Sequence, residues 1–273
     1  MSKKYQRSFL KWAGSKYQLL KHILPILPDG KTLIEPFVGS GVVFLNTDYD
    51  NYILSDSNRD LINVYQFVQK EGFKFVDDAN YLFKSEHNRK SAYYQFRDEF
   101  NASKKKRERA LLFIYLNRHG YNGLCRYNSS GELNVPFGQH DKPSLNIDNI
   151  MRFHDKSQNA LFTCEDFRDT LKRAKKHDVV YCDPPYVPLS DTAYFTSYNK
   201  HDFDVDDQLA LAEHAQRLQK KGVHTLLSNH DTEFTQSAYH QADITSFDVQ
   251  RMISCKVDNR APVRELLALY SPR

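Results

Sequence analysis

Cysteine is scarce in this sequence: Cys125, Cys164, Cys182 and Cys255 are scattered over 273 residues with no CxxC spacing. That pattern excludes a disulfide framework and a cysteine-based zinc site, and it fits a reducing cytoplasm. No metal ligand set is expected. Long apolar runs are missing too. The best, at 110–116, has the length of a core-helix segment and falls far short of a membrane crossing. The opening Met1-Ser2-Lys3-Lys4 is basic but lacks the apolar stretch of a signal peptide. Net charge is only +4, which permits nucleic acid as a partner without demanding it. The basic runs at 104–107 and 172–176 read first as solvated helix faces, as charge runs usually are. What is present suits a soluble globular enzyme: 40% hydrophobic and 26% charged residues, in a length that fits one large domain or one domain with a sizeable insertion.

Short apolar runs at 32–35, 52–55, 160–163, 179–182, 224–227, 244–249 and 266–270 read as strands. Helical patterns cover 59–69, 73–83, 92–100, 107–116 and 206–220. Strands alternating with helices predict an α/β fold with a doubly wound parallel sheet. The helical and turn-rich middle interrupts that alternation. The expected organisation is therefore one catalytic core split in sequence, 1–57 and 147–273, with an inserted domain at 58–146.

The chemistry concentrates in Asp183-Pro184-Pro185-Tyr186, directly after the apolar run 179–182. An acid at the carboxyl end of such a strand stands where open α/β sheets hold their ligands. Two prolines stiffen the backbone that follows, since each fixes φ and lacks an N–H. Carboxylate, carbonyls and aromatic ring together can grip the amino group of a planar base and stack on its face. The plain alternative is a strand, a proline turn and an incidental acid.

A second motif, Glu35-Pro36-Phe37-Val38-Gly39-Ser40-Gly41, lies between the first strand and a helix start. It has two glycines rather than the GxGxxG of a dinucleotide site, and Glu35 would repel a phosphate. Its carboxylate could instead help place a cation such as the sulfonium or amino group of S-adenosylmethionine; a tight strand-to-helix turn is the alternative. Asp56, about twenty residues on, stands where nucleotide sites commonly hold ribose hydroxyls, or else caps the helix from 59.

Taken in order, the motifs resemble a family. Residues 9–16, Phe-Leu-Lys-Trp-Ala-Gly-Ser-Lys, come first, then the motif at 35–41. Leu116-Asn117-Arg118-His119-Gly120-Tyr121-Asn122-Gly123-Leu124-Cys125-Arg126-Tyr127-Asn128 and Asn134-Val135-Pro136-Phe137-Gly138 follow. Asp183-Pro184-Pro185-Tyr186, Phe195-Thr196-Ser197-Tyr198 and Ser228-Asn229-His230-Asp231 complete the series. Nearly end to end, the chain resembles the Dam-type DNA adenine-N6 methyltransferases, which methylate adenine in GATC. The glycine motif precedes the insertion and the Asp-Pro-Pro-Tyr motif follows it, the order of the α group of amino-methyltransferases.

The resemblance implies a seven-stranded, mostly parallel Rossmann-like methyltransferase sheet and an inserted helical plus β-hairpin DNA-recognition domain. It implies S-adenosyl-L-methionine as methyl donor, with Trp12, Lys16, Asp56 and Asp183 binding it. Glu35, Phe37, Gly39 and Gly41 would wrap it, and Asp166 and Phe167 would lie near its adenine. From the residues alone, Trp12 would be a core contact and Lys16 part of a solvated helix face. Asp183, Pro184 and Tyr186 become the catalytic set. Hydrogen bonds from adenine N6 to Asp183 and to the Pro184 carbonyl favour a more tetrahedral nitrogen, whose lone pair can attack in line. Direct transfer needs no nucleophilic cysteine, and the chain lacks the Pro-Cys pair of cytosine-C5 enzymes. A base inside a duplex is out of reach, so the adenine must be flipped, with Tyr186 as stacking partner and 187–198 as a lid.

Sequence recognition is expected in the insertion. Segment 121–137 alternates aromatic, basic and amide residues around Ser129-Ser130-Gly131, the composition of a hairpin able to enter a major groove. By resemblance, Arg126 reads a guanine, Leu124 and Pro136 meet thymine, and Tyr121 with Asn122 supports the step at the flipped base. Lys11 and Asn128 complete the DNA-binding set. The partner is duplex DNA containing GATC, the chain is expected to act as a monomer in the cytoplasm, and neither a membrane nor an obligatory protein partner is expected. The sequence departs from its relatives at Gln139, where arginine is frequent, and over 254–262. A cytosine-N4 or protein-glutamine methyltransferase, or a non-catalytic DNA-binding protein, are the competing readings. Asp183 in place of the asparagine typical of protein enzymes and the full hairpin segment speak against the protein methyltransferase, and intact Asp183, Pro184, Tyr186 and cofactor residues speak against a decayed, non-catalytic site.

Overall fold

The computed structural model describes residues 5–187, 203–249 and 263–272. The expected lid at 187–198, beyond Val187, and the divergent segment at 254–262 lie outside them.

Strands β1 (Thr32–Glu35), β2 (Asn51–Ser55), β3 (Ala160–Thr163), β4 (Val179–Cys182), β5 (His224–His230), β6 (Asp243–Val249) and β7 (Val263–Tyr270) form one seven-stranded sheet in the order β3-β2-β1-β4-β5-β7-β6. Between them run α1 (Leu20–Ile23), α2 (Val42–Leu45), α3 (Arg59–Glu71), α4 (Phe73–Tyr81), α5 (Lys90–Ala102), α6 (Lys106–His119), α7 (Ile147–Lys156), α8 (Phe167–Lys172), α9 (Val205–Lys220) and α10 (Glu233–Ala238). Strand β4 is buried at all four positions, as a continuous apolar run in a doubly covered parallel sheet requires. It pairs in parallel with β1 and β5. Strand β7 runs antiparallel to both β5 and β6, so the sheet is mixed at that end. The side-chain pattern of a strand does not encode its direction, and this reversal was not legible in the apolar runs.

The chain clusters into two compact units. The first comprises 1–24, 38–48 and 54–165, and so includes the whole of 58–146 with segments on either side; the second comprises 25–37, 49–53 and 166–273. In the first, α6 packs against α3, α4 and α5 and buries nearly every residue from Ala110 to Asn117. A helix apolar around most of its circumference must be central. Beside it, Tyr65, Phe153 and Phe162 are stacked or tilted at ring separations of 4.7–5.8 Å, with Phe9 and Phe44 edge-on. In the second unit, Ile34, Val180, Cys182, Leu227, Leu266 and Ala268 of the sheet pack with Leu171, Leu211, Ala215 and Tyr239 from the covering helices. Helix α9 starts at a reciprocal capping box between Asp204 and Asp207, which satisfies two otherwise orphaned N–H groups.

Candidate active site and recognition loop

In the second unit, β1 and β4 lie side by side with Leu33 opposite Val179 and Ile34 opposite Val180. Strand order reverses at β1, since β2 lies to one side and β4 to the other. That is the switch point at which open α/β sheets bind ligands beyond the strand carboxyl ends. Glu35 closes β1 with a buried carboxylate, and Asp183 follows β4 directly.

The Asp183 carboxylate is half-buried and accepts a 2.9 Å hydrogen bond at Oδ1 from the Ser228 hydroxyl of β5. Pro184 is buried, and the Pro185 carbonyl accepts from Gln208 Nε2 at 2.7 Å. Tyr186 donates its hydroxyl to Glu265 Oε2 at 3.0 Å and meets the His230 ring edge-on at 4.8 Å. Burial first, then the negative charge of Asp183, pushes the Tyr186 phenol far above its ordinary value, so it remains a donor. Asn229 Oδ1 accepts from Val187 N, and His230 Nδ1 lies 2.7 Å from the Val187 carbonyl. Residues 183–187 are therefore held by the successive side chains Ser228, Asn229 and His230. The sequence marked that tripeptide only as part of a resemblance. Its one available signal was a run of polar residues inside an otherwise apolar strand.

The same unit carries an aromatic wall. Phe37 stacks on Phe167 with ring centroids 5.5 Å apart, and Phe203 stands edge-on to Phe37 at 5.4 Å. Asp166 is exposed and caps α8 by accepting from Arg168 N at 2.8 Å.

In the first unit, Gly39 and Gly41 have φ of 45° and 68°, conformations that L residues rarely adopt, so the turn needs glycine at both places. Gly39 N donates to Asp56 Oδ2 at 3.1 Å, and Asn58 N donates to Asp56 Oδ1 at 2.9 Å. Burial raises the Asp56 pKa, and those two donors oppose the shift. Asp56 does not cap α3: Asn58 does, accepting from Asp60 N and Leu61 N. The cap lies two residues later than one of the sequence readings placed it. Lys16 is not on a solvated face either. It is buried, and its Nζ donates to the Gly14 carbonyl at 2.9 Å. Trp12 is half-buried rather than part of the core. The hydroxyls of Ser15 and Ser40 meet at 3.0 Å and tie residues 12–16 to the glycine turn.

The recognition segment lies wholly within this unit. It is an irregular hairpin, paired at the isolated bridges Gly120–Phe137 and Tyr127–Leu133 rather than along a regular ladder. A turn closes at Asn128, whose carbonyl accepts from Gly131 N and whose side chain accepts from Ser130 N and Glu132 N. Leu124, Arg126 and Asn128 are exposed, while Gly123, Cys125 and Tyr127 between them are buried or half-buried. That alternation is the period of extended chain. Tyr121, Asn122 and Pro136 are exposed as well, so six of the seven expected DNA-binding residues face solvent. The seventh, Lys11, is half-buried with Nζ 3.3 Å from His140 Nε2. Burial, and secondarily Arg118, lower its pKa.

Three supporting residues were assigned no role from the sequence, where Asn117 and Asn134 stood only within the resembling motifs. Asn134 Oδ1 accepts from Arg126 Nε at 2.8 Å and holds the exposed guanidinium in place. Asn117 brackets the backbone of Lys11. Asp60 accepts two hydrogen bonds from Arg109 and one from the Tyr127 hydroxyl at 2.8 Å, which anchors the hairpin to α3 and α6.

The chain is similar to known proteins over nearly its whole length. Residues 12–253 match the family model of the D12 class N6 adenine-specific DNA methyltransferase. The chain is 52% identical over 268 residues to the DNA adenine methylase of Serratia marcescens, covering 98% of this chain and 99% of that one. It is 51% identical over 269 residues to the DNA adenine methylase of Escherichia coli strain K12, covering 98% and 97%. It is 47% identical over 270 residues to that of Vibrio cholerae, covering 98% of both chains. With matches of this strength over nearly its whole length, the chain belongs to the D12 class of N6 adenine-specific DNA methyltransferases.

Proposed function

We propose that this enzyme moves a methyl group from S-adenosylmethionine to N6 of a flipped-out adenine within GATC in duplex DNA. The observation that carries the reading is Asp183 at the carboxyl end of β4, with its carboxylate fixed by Ser228 and the Tyr186 ring held three residues on by Glu265. A carboxylate accepts and cannot donate, so Asp183 suits the electron-poor amino group of adenine. With the Pro184 carbonyl as second acceptor, both N6 hydrogens are engaged, the nitrogen becomes more tetrahedral and its lone pair is withdrawn from the ring for attack. Acceptors fixed before the reaction stabilise positive charge as it develops on N6. The Tyr186 ring offers a stacking face to an extrahelical base.

Each unit carries residues suited to part of S-adenosylmethionine. Asp56 supplies an acceptor at the carboxyl end of β2 suited to a ribose diol, and the Phe37–Phe167 stack supplies an apolar wall suited to a purine. Trp12, Lys16, Glu35, Gly39 and Gly41 complete the binding set, with Asp166 near the adenine. When bound, this cofactor supplies an electrophilic methyl on a sulfonium.

Recognition is assigned to Lys11, Tyr121, Asn122, Leu124, Arg126, Asn128 and Pro136. Arg126, pre-oriented by Asn134, suits bidentate pairing with guanine O6 and N7; Leu124 and Pro136 suit the thymine methyl. The enzyme acts as a monomer, in the cytoplasm where the DNA lies. No helix among the described residues is long and apolar enough to cross a membrane.

The test is transfer of labelled methyl to matched duplexes containing GATC or single-base variants, with Asp183→Ala as control. Asp183-dependent labelling of adenine confined to GATC is expected. Labelling spread over the variants would overturn the recognition assignment, and full activity of Asp183→Ala would overturn the catalytic one.

A further inference from the structure

We propose that Ser228 is a positioning residue for methyl transfer, and that a directional chain of hydroxyls, Tyr181 to Ser228 to Asp183, fixes the carboxylate that receives the adenine amino group. This rests on the role proposed above for Asp183.

The strand register sets up the chain. Tyr181 is opposite Leu226 and Cys182 opposite Leu227 in the parallel pair β4–β5, so Ser228 comes level with Asp183. Side chains two apart share a face of a strand, so Tyr181, Asp183 and Ser228 meet on one side of the sheet. Ser228 is also fixed from β7, where it is opposite Leu267. Its position is therefore set from both neighbouring strands.

Proton counting then gives the direction. Ser228 Oγ lies 2.9 Å from Asp183 Oδ1, 3.3 Å from the Cys182 carbonyl and 3.2 Å from the Tyr181 hydroxyl. A serine hydroxyl carries one proton, and a carboxylate offers none. The shortest contact takes the serine proton to Asp183, and the Tyr181 hydroxyl then donates to Ser228 Oγ. Tyr181 is fully buried, and burial holds its phenol protonated far above its ordinary range. Asp183, Glu35 of β1 and Glu265 of β7 push in the same direction. Among the described residues the charged groups acting on Tyr181 are carboxylates, and the Tyr186 phenol also neighbours Ser228. Ser228 at 1% exposure has little access to water as a substitute donor or acceptor.

The consequence concerns alignment. A carboxylate pinned at one oxygen presents a fixed plane to an incoming amino group. Removing that donor loosens the plane, and a small misplacement of a reacting group can cost about a hundredfold in rate.

The experiment is single-turnover transfer of labelled methyl to a GATC duplex at saturating S-adenosylmethionine, comparing the intact enzyme with Ser228→Ala, Ser228→Thr, Tyr181→Phe and Asp183→Ala. Ser228→Ala is expected to slow the single-turnover rate about 10- to 100-fold with the duplex Kd unchanged. Ser228→Thr keeps the hydroxyl and recovers most of the rate; Tyr181→Phe keeps the Ser228–Asp183 bond and falls between. Loss of a donor disfavours the ionised form of a carboxylate, so the acid limb of the Ser228→Ala rate profile moves up. A merely structural serine would not move it. A wild-type rate and profile for Ser228→Ala, with Asp183→Ala inactive, overturns the proposal while leaving the role of Asp183 standing. Equal loss in folded Ser228→Ala and Ser228→Thr also overturns it. An active Asp183→Ala removes the reading of Asp183 itself, and the proposal with it.

Discussion

Asn117 clamps the backbone of Lys11: its side-chain oxygen accepts from Lys11 N at 2.9 Å, and its side-chain nitrogen donates to the Lys11 carbonyl at 2.7 Å. The same amide nitrogen lies 3.4 Å from the Gly123 carbonyl. A Cβ on Gly123, whose φ is +64°, would approach Lys11 Cβ to 2.2 Å. The Lys11 side chain thus lies directly against Gly123, with one buried asparagine bonded to the backbones of both.

Asn117→Leu leaves both Lys11 backbone groups without their partner. A loss of about 2–3 kcal/mol in unfolding free energy is expected. If Lys11 contacts the duplex as proposed, GATC affinity falls further than stability alone explains. Urea unfolding and duplex titration of the same variant check the two parts separately. Unchanged duplex affinity in the folded variant would remove Asn117 from recognition.

A second anchor acts from the other side of the hairpin. Arg109 meets Asp60 through Nε and Nη2 at 2.9 and 2.8 Å, and Tyr127 adds its hydroxyl to the same carboxylate. Asp60→Ala takes the carboxylate from a half-buried guanidinium that keeps its bonds to the Phe100 and Ser103 carbonyls, at a cost of about 2–3 kcal/mol. Tyr127→Phe is expected to cost only about 1 kcal/mol, because Asp60 keeps its arginine. It frees the hairpin base, so if Arg126 reads a base pair as proposed, discrimination at that pair weakens. Competition between GATC and single-base variant duplexes measures that loss.

These anchors explain what the sequence does and does not disclose. Strand β4 and helix α6 announce themselves because burial on all sides leaves a continuous apolar run. Asp183 was legible because prolines mark the end of its strand. Asn117, Asp60 and Ser228 were not, because each acts on a partner distant in sequence, and a lone polar residue carries no record of what it will face. The antiparallel β7 was hidden for a related reason: alternation reports a face, not a direction. The recognition segment showed its composition but not its conformation, since side-chain amides close its turn where ladder bonds were expected.

His119 gives the fold a pH dependence with a definite sign. Its ring stacks on Tyr115 at 3.9 Å and its Nδ1 lies 2.9 Å from the Tyr115 carbonyl, with Phe83 5.0 Å away. Burial, above all, holds it down to about 4, against about 6.5 unfolded. A depressed folded pKa means that the unfolded chain binds the proton first as pH falls. The contribution is therefore fully present above about 6.5 and is lost progressively toward about 4. The urea midpoint of the intact enzyme is expected to fall across that window more steeply than that of His119→Gln. The difference between the two curves isolates this residue from other titrating groups, and parallel curves would exclude it as the source.

Gln139 tests how this chain grips the duplex. It is exposed, with φ of 41°, directly after Phe137-Gly138 at the end of the recognition segment. Arginine at this place adds a cation where a phosphate is expected to pass; glutamine offers only a neutral donor. Each phosphate neutralised releases condensed counterions and steepens the fall of log K with log salt by about 0.9. Gln139→Arg is therefore expected to tighten binding at low salt, to lose that advantage as salt rises, and to steepen the slope by about one. Discrimination between GATC and its variants should stay the same, because phosphates position a protein without reading bases. Equilibrium titrations of matched and mismatched duplexes across a salt series separate the two effects. An unchanged slope would show that residue 139 does not face the backbone; a changed mismatch ratio would show that it reads a base.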